Sequence, residues 1–294
     1  YTYTSTMVSP SVGEAVRPLL EDVTRYPTAT SGTPGTGYTT TYDYEYYSGS
    51  TMIEAITQTN PAVSTANHGS NSATVSYRYL DKQGRETWAK SEDGAISYSE
   101  YANGVMTKQI RDADTTQNGV GEDFNGVTPP STPVSFASSG SPLHQKTTYT
   151  YDSQGRRETA TLPTGRVTGS YWSQTEDRMV VSLSYPRVVS GSPTTYYGPV
   201  GVRVTNQAGK TEASGQIELT GNSSTATQST HVDALEPSDE LDDVVADLGG
   251  LCRLSTTQYD ESGSQAESTR LYHEIPGTLT SAVEGANYDT TSHA

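Results

Sequence analysis

The sequence predicts an all-β chain: an antiparallel β-hairpin meander with one short helix near 238–248. Two features of composition and one of pattern lead there. Tyrosine outnumbers phenylalanine 21 to 2, and Thr (45) and Val (22) are abundant, all residues that suit a pleated, half-buried surface. Leu, Ile, Val and Phe supply only 44 of 294 residues at a net charge of -16. That balance borders on disorder, but a disordered chain would not carry so many aromatic and β-branched side chains. Thin layers held by tyrosine faces and threonine ladders, rather than a thick aliphatic core, are therefore expected. The third feature is a recurring pattern: Tyr-x-Tyr, Asp, two polar residues, Gly, Arg, then a strand-like run.

Along the chain, Tyr1-Thr-Tyr3 looks like this pattern cut at its start, so a mature product or a fragment is expected. Val12 to Val23 is a weak helix candidate with Pro18 against it. Residues 24–41, rich in Pro, Gly, Ser and Thr, read as a loop insertion. Strand blocks follow at about 42–57 and 72–110, the first opened by a degenerate copy at Tyr42-Asp43. The second block carries a full copy, Tyr77-Arg-Tyr79-Leu-Asp81-Lys-Gln-Gly84-Arg85, with later turn signals at Asp93-Gly94 and Asn103-Gly104. A second loop insertion spans about 111–142, and its 128–142 part reads as surface. The cleanest copy is Tyr149-Thr-Tyr151-Asp152-Ser-Gln-Gly155-Arg156, continuing to Gly165 and Tyr171 in a strand block at 146–190. A further block at 194–220 holds the degenerate copy Asn206-Gln-Ala-Gly209-Lys210.

The third insertion, about 221–254, contains Leu241, Val244, Val245 and Leu248 at helical spacing, with Ser238 to cap the start and Gly249-Gly250 to stop the end. A weaker copy follows at Tyr259-Asp260-Glu-Ser-Gly263, with Pro276-Gly277 after it and a last Tyr288-Asp289. The chain thus reads as one degenerate array over 1–294, clearest at 77–104 and 149–171 and weaker at 259–277.

Each copy has the physics of a hairpin. Alternation puts both rings of Tyr-x-Tyr on one strand face. Asp opens a type I turn, and Gly takes the positive φ needed to rejoin the ladder. The Arg stem can then lie across a neighbouring ring while its head reaches an acid.

Several functions are set aside by the same numbers. With 34 acidic against 18 basic residues, a nucleic-acid groove is not expected. No apolar run reaches the ~18 residues that span a membrane. Cys252 stands alone, which excludes an internal disulfide and leaves redox compartment and the role of this residue open. Ala208-Gly209-Lys210-Thr211 lacks the first glycine of a phosphate loop, with Val204 in its place. There is no Gly-x-Ser-x-Gly elbow. The histidines, His68, His144, His231, His273 and His293, have no metal spacing. Asp112, Asp114 and Asn118 form a calcium-loop candidate that departs from the EF-hand pattern. The acids of 236–247 read as a solvated helix face, and no pair of carboxylates is singled out for glycoside hydrolysis. No catalytic residue, cofactor or metal is therefore assigned.

Tyr151-Asp152-Ser-Gln-Gly155-Arg156 with Gly165 downstream resembles the YD repeat, also called the Rhs repeat, and Tyr77 to Arg85 is similar with Leu80 inserted. That family includes bacterial Rhs toxins, the cocoon subunit of insecticidal toxin complexes, teneurin ectodomains and giant bacterial surface proteins. The resemblance implies a long β-ribbon that spirals into a hollow shell or solenoid, at the cell surface or outside the cell, whose motif residues build wall and perform no chemistry. The Asp-Pro-x-Gly-Leu signature of toxin-type members is absent, and long insertions break the spacing.

Three functional readings follow. One is a structural segment, pairing end to end with further copies into a fibre or continuing in a longer chain. The others are part of a toxin-enclosing shell and a glycan-binding adhesin whose Tyr, Trp88 and Trp172 stack on sugars. A sequon at Asn222 and about 28 % Ser plus Thr make glycan decoration an expectation as well.

Overall fold

A computed structural model describes residues 19–25, 37–67, 69–174, 180–189, 195–217, 225–226, 251–260, 265–273, 282 and 284–293. The chain divides into two compact units, Tyr1–Lys146 and Thr147–Ala294. The described residues form an all-β antiparallel meander, and their one helical element is a single 3-10 turn, Thr65–Asn67. The helix expected near 238–248 lies outside the described residues.

In the first unit, β1 (Asp22–Arg25), β2 (Tyr38–Tyr46), β3 (Ile53–Asn60), β4 (Thr74–Leu80), β5 (Glu86–Lys90), β6 (Ile96–Ala102) and β7 (Val105–Arg111) each pair antiparallel with the next. The register aligns Ala55, Tyr79, Trp88, Tyr98 and Ile110 in one row across five strands. All five are buried. Alternation makes such a row inevitable: once one register position faces inward, every partner directly opposite does too.

The cover for this row is the segment 112–144 that follows β7, which contains no strand. Both phenylalanines of the chain, Phe124 and Phe136, lie in it, each 0 % exposed. Phe124 stacks on Trp88 at 5.3 Å between centroids and meets Tyr98 edge-on at 5.3 Å. Phe136 meets Tyr79 edge-on at 5.3 Å. The 128–142 part is mostly exposed, as its composition suggested, but it sends Phe136 into the core as part of the cover. Its two ends are tied at one neck: His144 N–H donates to the Asp112 carbonyl (2.8 Å) and Leu143 N–H to Asp112 Oδ2 (2.7 Å).

From β8 (Gln145–Tyr151), whose first two residues close the first unit, β9 (Arg157–Thr161), β10 (Val167–Gln174) and β11 (Val180–Val189) continue the hairpin order in the second unit. Beside β11 run β12 (Thr195–Tyr197) and β13 (Val200–Thr205), pairing with successive parts of it. After them come β14 (Thr211–Ile217), β15 (Thr225–Ala226), β16 (Leu251–Tyr259), β17 (Ala266–Tyr272) and β18 (Tyr288–Ser292). Here register aligns Leu183, Val202, Gly215, Leu254, Tyr272 and Tyr288 in one row, all buried except the half-buried Gly215. Flanking it, Val181, Val188, Val200, Val204 and Ile217 are buried. The expectation of a core without aliphatic depth fails in this unit, because valines fill alternate positions of β13 (Val200, Val202, Val204) and Val181, Leu183 and Val188 of β11 are buried with them.

Other boundaries also shift. Strand β1 reaches Arg25 and β2 starts at Tyr38, so both ends of the 24–41 insertion are ladder. Strand β1 likewise places Asp22 and Val23 in a strand rather than in a helix. Within 221–254, Thr225–Ala226 pair with β12, and β16 begins at Leu251, with Cys252 in it. Threonine propensity explains these gains, since Thr39, Thr40 and Thr41 all sit in β2.

Candidate functional site

One hairpin corner recurs in both units. Between β4 and β5, Gly84 N–H donates to the Asp81 carbonyl (2.9 Å) and Asp81 N–H to the Arg85 carbonyl (2.8 Å). This is a type I turn closed by a glycine bulge, and Gly84 has φ +77°. Asp81 Oδ1 accepts from the amides of Gln83 (2.8 Å) and Arg85 (3.0 Å), and Oδ2 accepts from Arg85 Nε (2.7 Å). The Arg85 guanidinium lies 4.3 Å from the Tyr101 ring centre.

Between β8 and β9 the same bonds reappear. Gly155 N–H donates to the Asp152 carbonyl (3.0 Å) and Asp152 N–H to the Arg156 carbonyl (2.9 Å). Asp152 Oδ1 accepts from Gln154 and Arg156 amides, both at 2.9 Å, and Oδ2 from Arg156 Nε at 2.7 Å. Gly155 has φ +78°, and Arg156 lies 5.8 Å from the Trp172 ring. The degenerate copy at Asn206 keeps the backbone pattern, with Asn206 Oδ1 taking the Lys210 amide at 2.9 Å and Gly209 at φ +73°. Ala208-Gly209-Lys210-Thr211 is thus part of a hairpin turn and the strand after it.

The weak copy differs. Asp260 N–H donates to Gln265, and Gln265 N–H returns to Asp260 Oδ1 at 3.1 Å, a loop one residue longer. Tyr259 Oη donates to the Thr211 carbonyl at 2.9 Å. Gly263 and Asn222 lie outside the described residues.

The electrostatics follow from this stapling. Burial raises the Asp81 pKa, but the Arg85 amide and side chain and the Gln83 amide outweigh it and hold the carboxyl below its ordinary value. The Arg156 amide, with its guanidinium and the Gln154 amide, holds Asp152 low despite the opposing desolvation. Burial, aided by nearby carboxylates, pushes the phenols of Tyr79 and Tyr98 up to about 12. These tyrosines stay neutral, which suits wall rather than nucleophile. Tyr77 packs against the aromatic core, and Tyr149 stacks under Arg157 at 5.9 Å. Burial also raises Tyr151.

Replacing Gly155 by valine is expected to cost about 1–3 kcal/mol, because a β-branched residue is strained at this φ. The same position with asparagine, which tolerates positive φ, should recover most of the loss in a thermal melt.

Sequence reasoning missed a second polar assembly, around Asp123. Lys146 Nζ and His144 Nε2 lie 2.9 and 3.1 Å from its Oδ2, and Lys108 Nζ lies 3.7 Å from Oδ1. Asp114 N–H donates to His144 Nδ1 at 3.1 Å, so Nε2 carries the hydrogen that reaches Asp123. Burial opposes the Asp123 charge, yet the hydrogen bonds from Lys146 and His144 and the charges of Lys146 and Lys108 hold its pKa below the usual value. No spacing announces this site; the gathered phenylalanines were the available signal that this segment folds inward.

The calcium-loop candidate resolves into loop staples. Asp112 Oδ2 holds Leu143, while Asp114 Oδ1 accepts from the Thr116 amide and hydroxyl and from Ser138 Oγ. Asn118 N–H donates to the Thr116 carbonyl. Among the described residues no three His, Cys, Asp or Glu converge as a metal site. Trp88 is 5 % exposed inside the core, where it cannot stack on a sugar in solvent. Strand β2 and its neighbours also border an open groove of about 840 Å³.

No protein-family model matches the chain, and no curated protein matches it. Partial likeness exists to solved structures. One is the TcdB2-TccC3 structure without its hypervariable C-terminal region, at 12% identity and TM-score 0.21, covering 88% of this chain and 16% of that one. Another is the Photorhabdus luminescens Tc holotoxin pore with a TccC3 mutation, at 12% identity and TM-score 0.20, covering 94% and 16%. The chain therefore spans 16% of the length of those chains. Scores of this size fall short of a shared overall architecture.

Proposed function

We propose that this chain is a non-enzymatic wall segment of an extracellular YD-repeat protein, extended by strand pairing at its ends. The observation that carries this reading is the recurrence of one stapled corner, with the same donors and acceptors, at Asp81 and at Asp152. In both, the acid and arginine are consumed by the turn itself, leaving shape rather than reactivity as the product. Edge chemistry supports extension: among the described strands β18 pairs with β17 alone, and beyond the isolated bridge from Tyr288 to Glu284 one side of its backbone can accept another strand. That strand would come from a second copy or from further chain. Partners other than such strands are not required.

Negative-stain imaging of the purified chain is expected to show long uniform fibres. Closed hollow particles would favour a toxin-enclosing shell of the Rhs type, which uses the same wall element. Discrete monomers at high concentration would overturn self-assembly.

A further inference from the structure

The turn that leads into Phe124 places a carboxylate on a backbone nitrogen. Asn118, Gly119 and Glu122 are exposed, and Val120 between them is 97 % exposed at the loop tip. Gly119 N–H donates to Glu122 Oε2 at 2.5 Å, and Glu122 N–H returns to the Gly119 carbonyl at 3.0 Å. A Cβ at position 119 would stand 3.0 Å from that carboxylate oxygen and 3.2 Å from Cδ, so a side chain there would push the acid away. The backbone is fixed on both sides of the pair. Asn118 N–H donates to the Thr116 carbonyl (2.9 Å), and Phe124 N–H donates to the Gln117 carbonyl (2.9 Å).

The nitrogen that follows an asparagine can close a five-membered ring on the side-chain amide carbon. Intramolecular proximity favours that closure, and loss of the proton on nitrogen limits it. Glycine leaves the approach open because it has no Cβ. The base that would remove the proton is the group already bonded to it.

We propose that Asn118-Gly119 is a self-modifying site with Glu122 as its general base. The Glu122 carboxylate takes the Gly119 proton, the nitrogen bonds to Asn118 Cγ, and the Cγ–Nδ2 bond breaks. The proton passes to the departing nitrogen, which leaves as ammonia. Water then opens the cyclic imide at either carbonyl, giving aspartate or isoaspartate. Either product adds a negative charge to a loop that already carries Asp114, Glu122 and Asp123. Isoaspartate also adds a carbon to the main chain between Gln117 and Phe124, which are hydrogen-bonded to each other. This site is separate from the stapled corners and does not rest on the wall reading.

Peptide mapping by mass spectrometry, following amide-to-acid conversion at neutral pH, tests it. Asn103-Gly104 and Asn125-Gly126 share the dipeptide and serve as comparators within the same chain. Asn118 should convert severalfold faster in the folded chain than in urea. Glu122→Gln keeps an oxygen to accept the Gly119 N–H but is a far weaker base. It should slow Asn118 about tenfold, with Asn103, Asn125 and the melting curve unchanged. The proposal is overturned if folding does not speed Asn118, if Glu122→Gln leaves its rate unchanged or raises it, or if that variant slows all three sites alike.

Discussion

Replacing Phe136 by alanine is expected to destabilise the first unit by about 3–5 kcal/mol, as for other fully buried aromatic rings. Phe136 is 0 % exposed and touches Tyr79 edge-on at 5.3 Å. It also lies 6.1 Å from Trp88, so its removal opens a cavity over the centre of the buried row. Phe124→Ala should act similarly. Because both rings share Trp88, the double variant should lose less than the sum. The chain has two tryptophans, Trp88 in the first unit and Trp172 in the second. A Trp172→Phe background therefore lets urea unfolding followed by emission report Trp88 alone. A surface loop, by contrast, would tolerate the change within about 0.5 kcal/mol.

The second large effect is at Asp123. Asp123→Asn removes the charge that faces Lys108, His144 and Lys146. About 2–3 kcal/mol should be lost, below the ~3–5 kcal/mol of a fully buried pair because Lys146 is partly in water. The pH dependence has a definite sign. Its pKa is depressed in the folded state, against an unfolded value of about 3.9. Its contribution is complete above the unfolded pKa and is lost as pH falls through the folded one. Asp81, Asp93 and Asp114 are depressed too. The first unit should therefore unfold in acid below about pH 4, and Asp123→Asn should flatten that transition. The Trp88 signal measured from pH 7 to pH 2 checks both.

The meander was legible because its corners are local. Asp81 to Arg85 and Asp152 to Arg156 need only five consecutive residues to fix their own geometry, so a linear pattern records them. Strand alternation in Tyr77/Tyr79 is equally local. The covering segment was not legible, because Pro, Gly, Ser and Thr mark irregular backbone whether or not it is buried. Only tertiary packing brings Phe124 and Phe136 onto a row built from β4, β5 and β6. Asp123 met His144 and Lys146 for the same reason, across the neck closed by Asp112. The groove residues come from strands β2 and β3 and a turn of the β5–β6 hairpin, and no motif spans them. The division into two units left no mark in composition, since the repeat pattern runs through both.

Residue-resolved amide hydrogen exchange tests the central claim most directly. Slow exchange is expected at the amides of Asp81, Gly84 and Arg85, matched at Asp152, Gly155 and Arg156, because each has a bonded partner within 3.0 Å. Asp81→Ala should speed exchange in its own corner while the Asp152 corner stays protected. Fast exchange at both corners in the parent protein, or an Asp81→Ala corner as protected as before, would contradict the account.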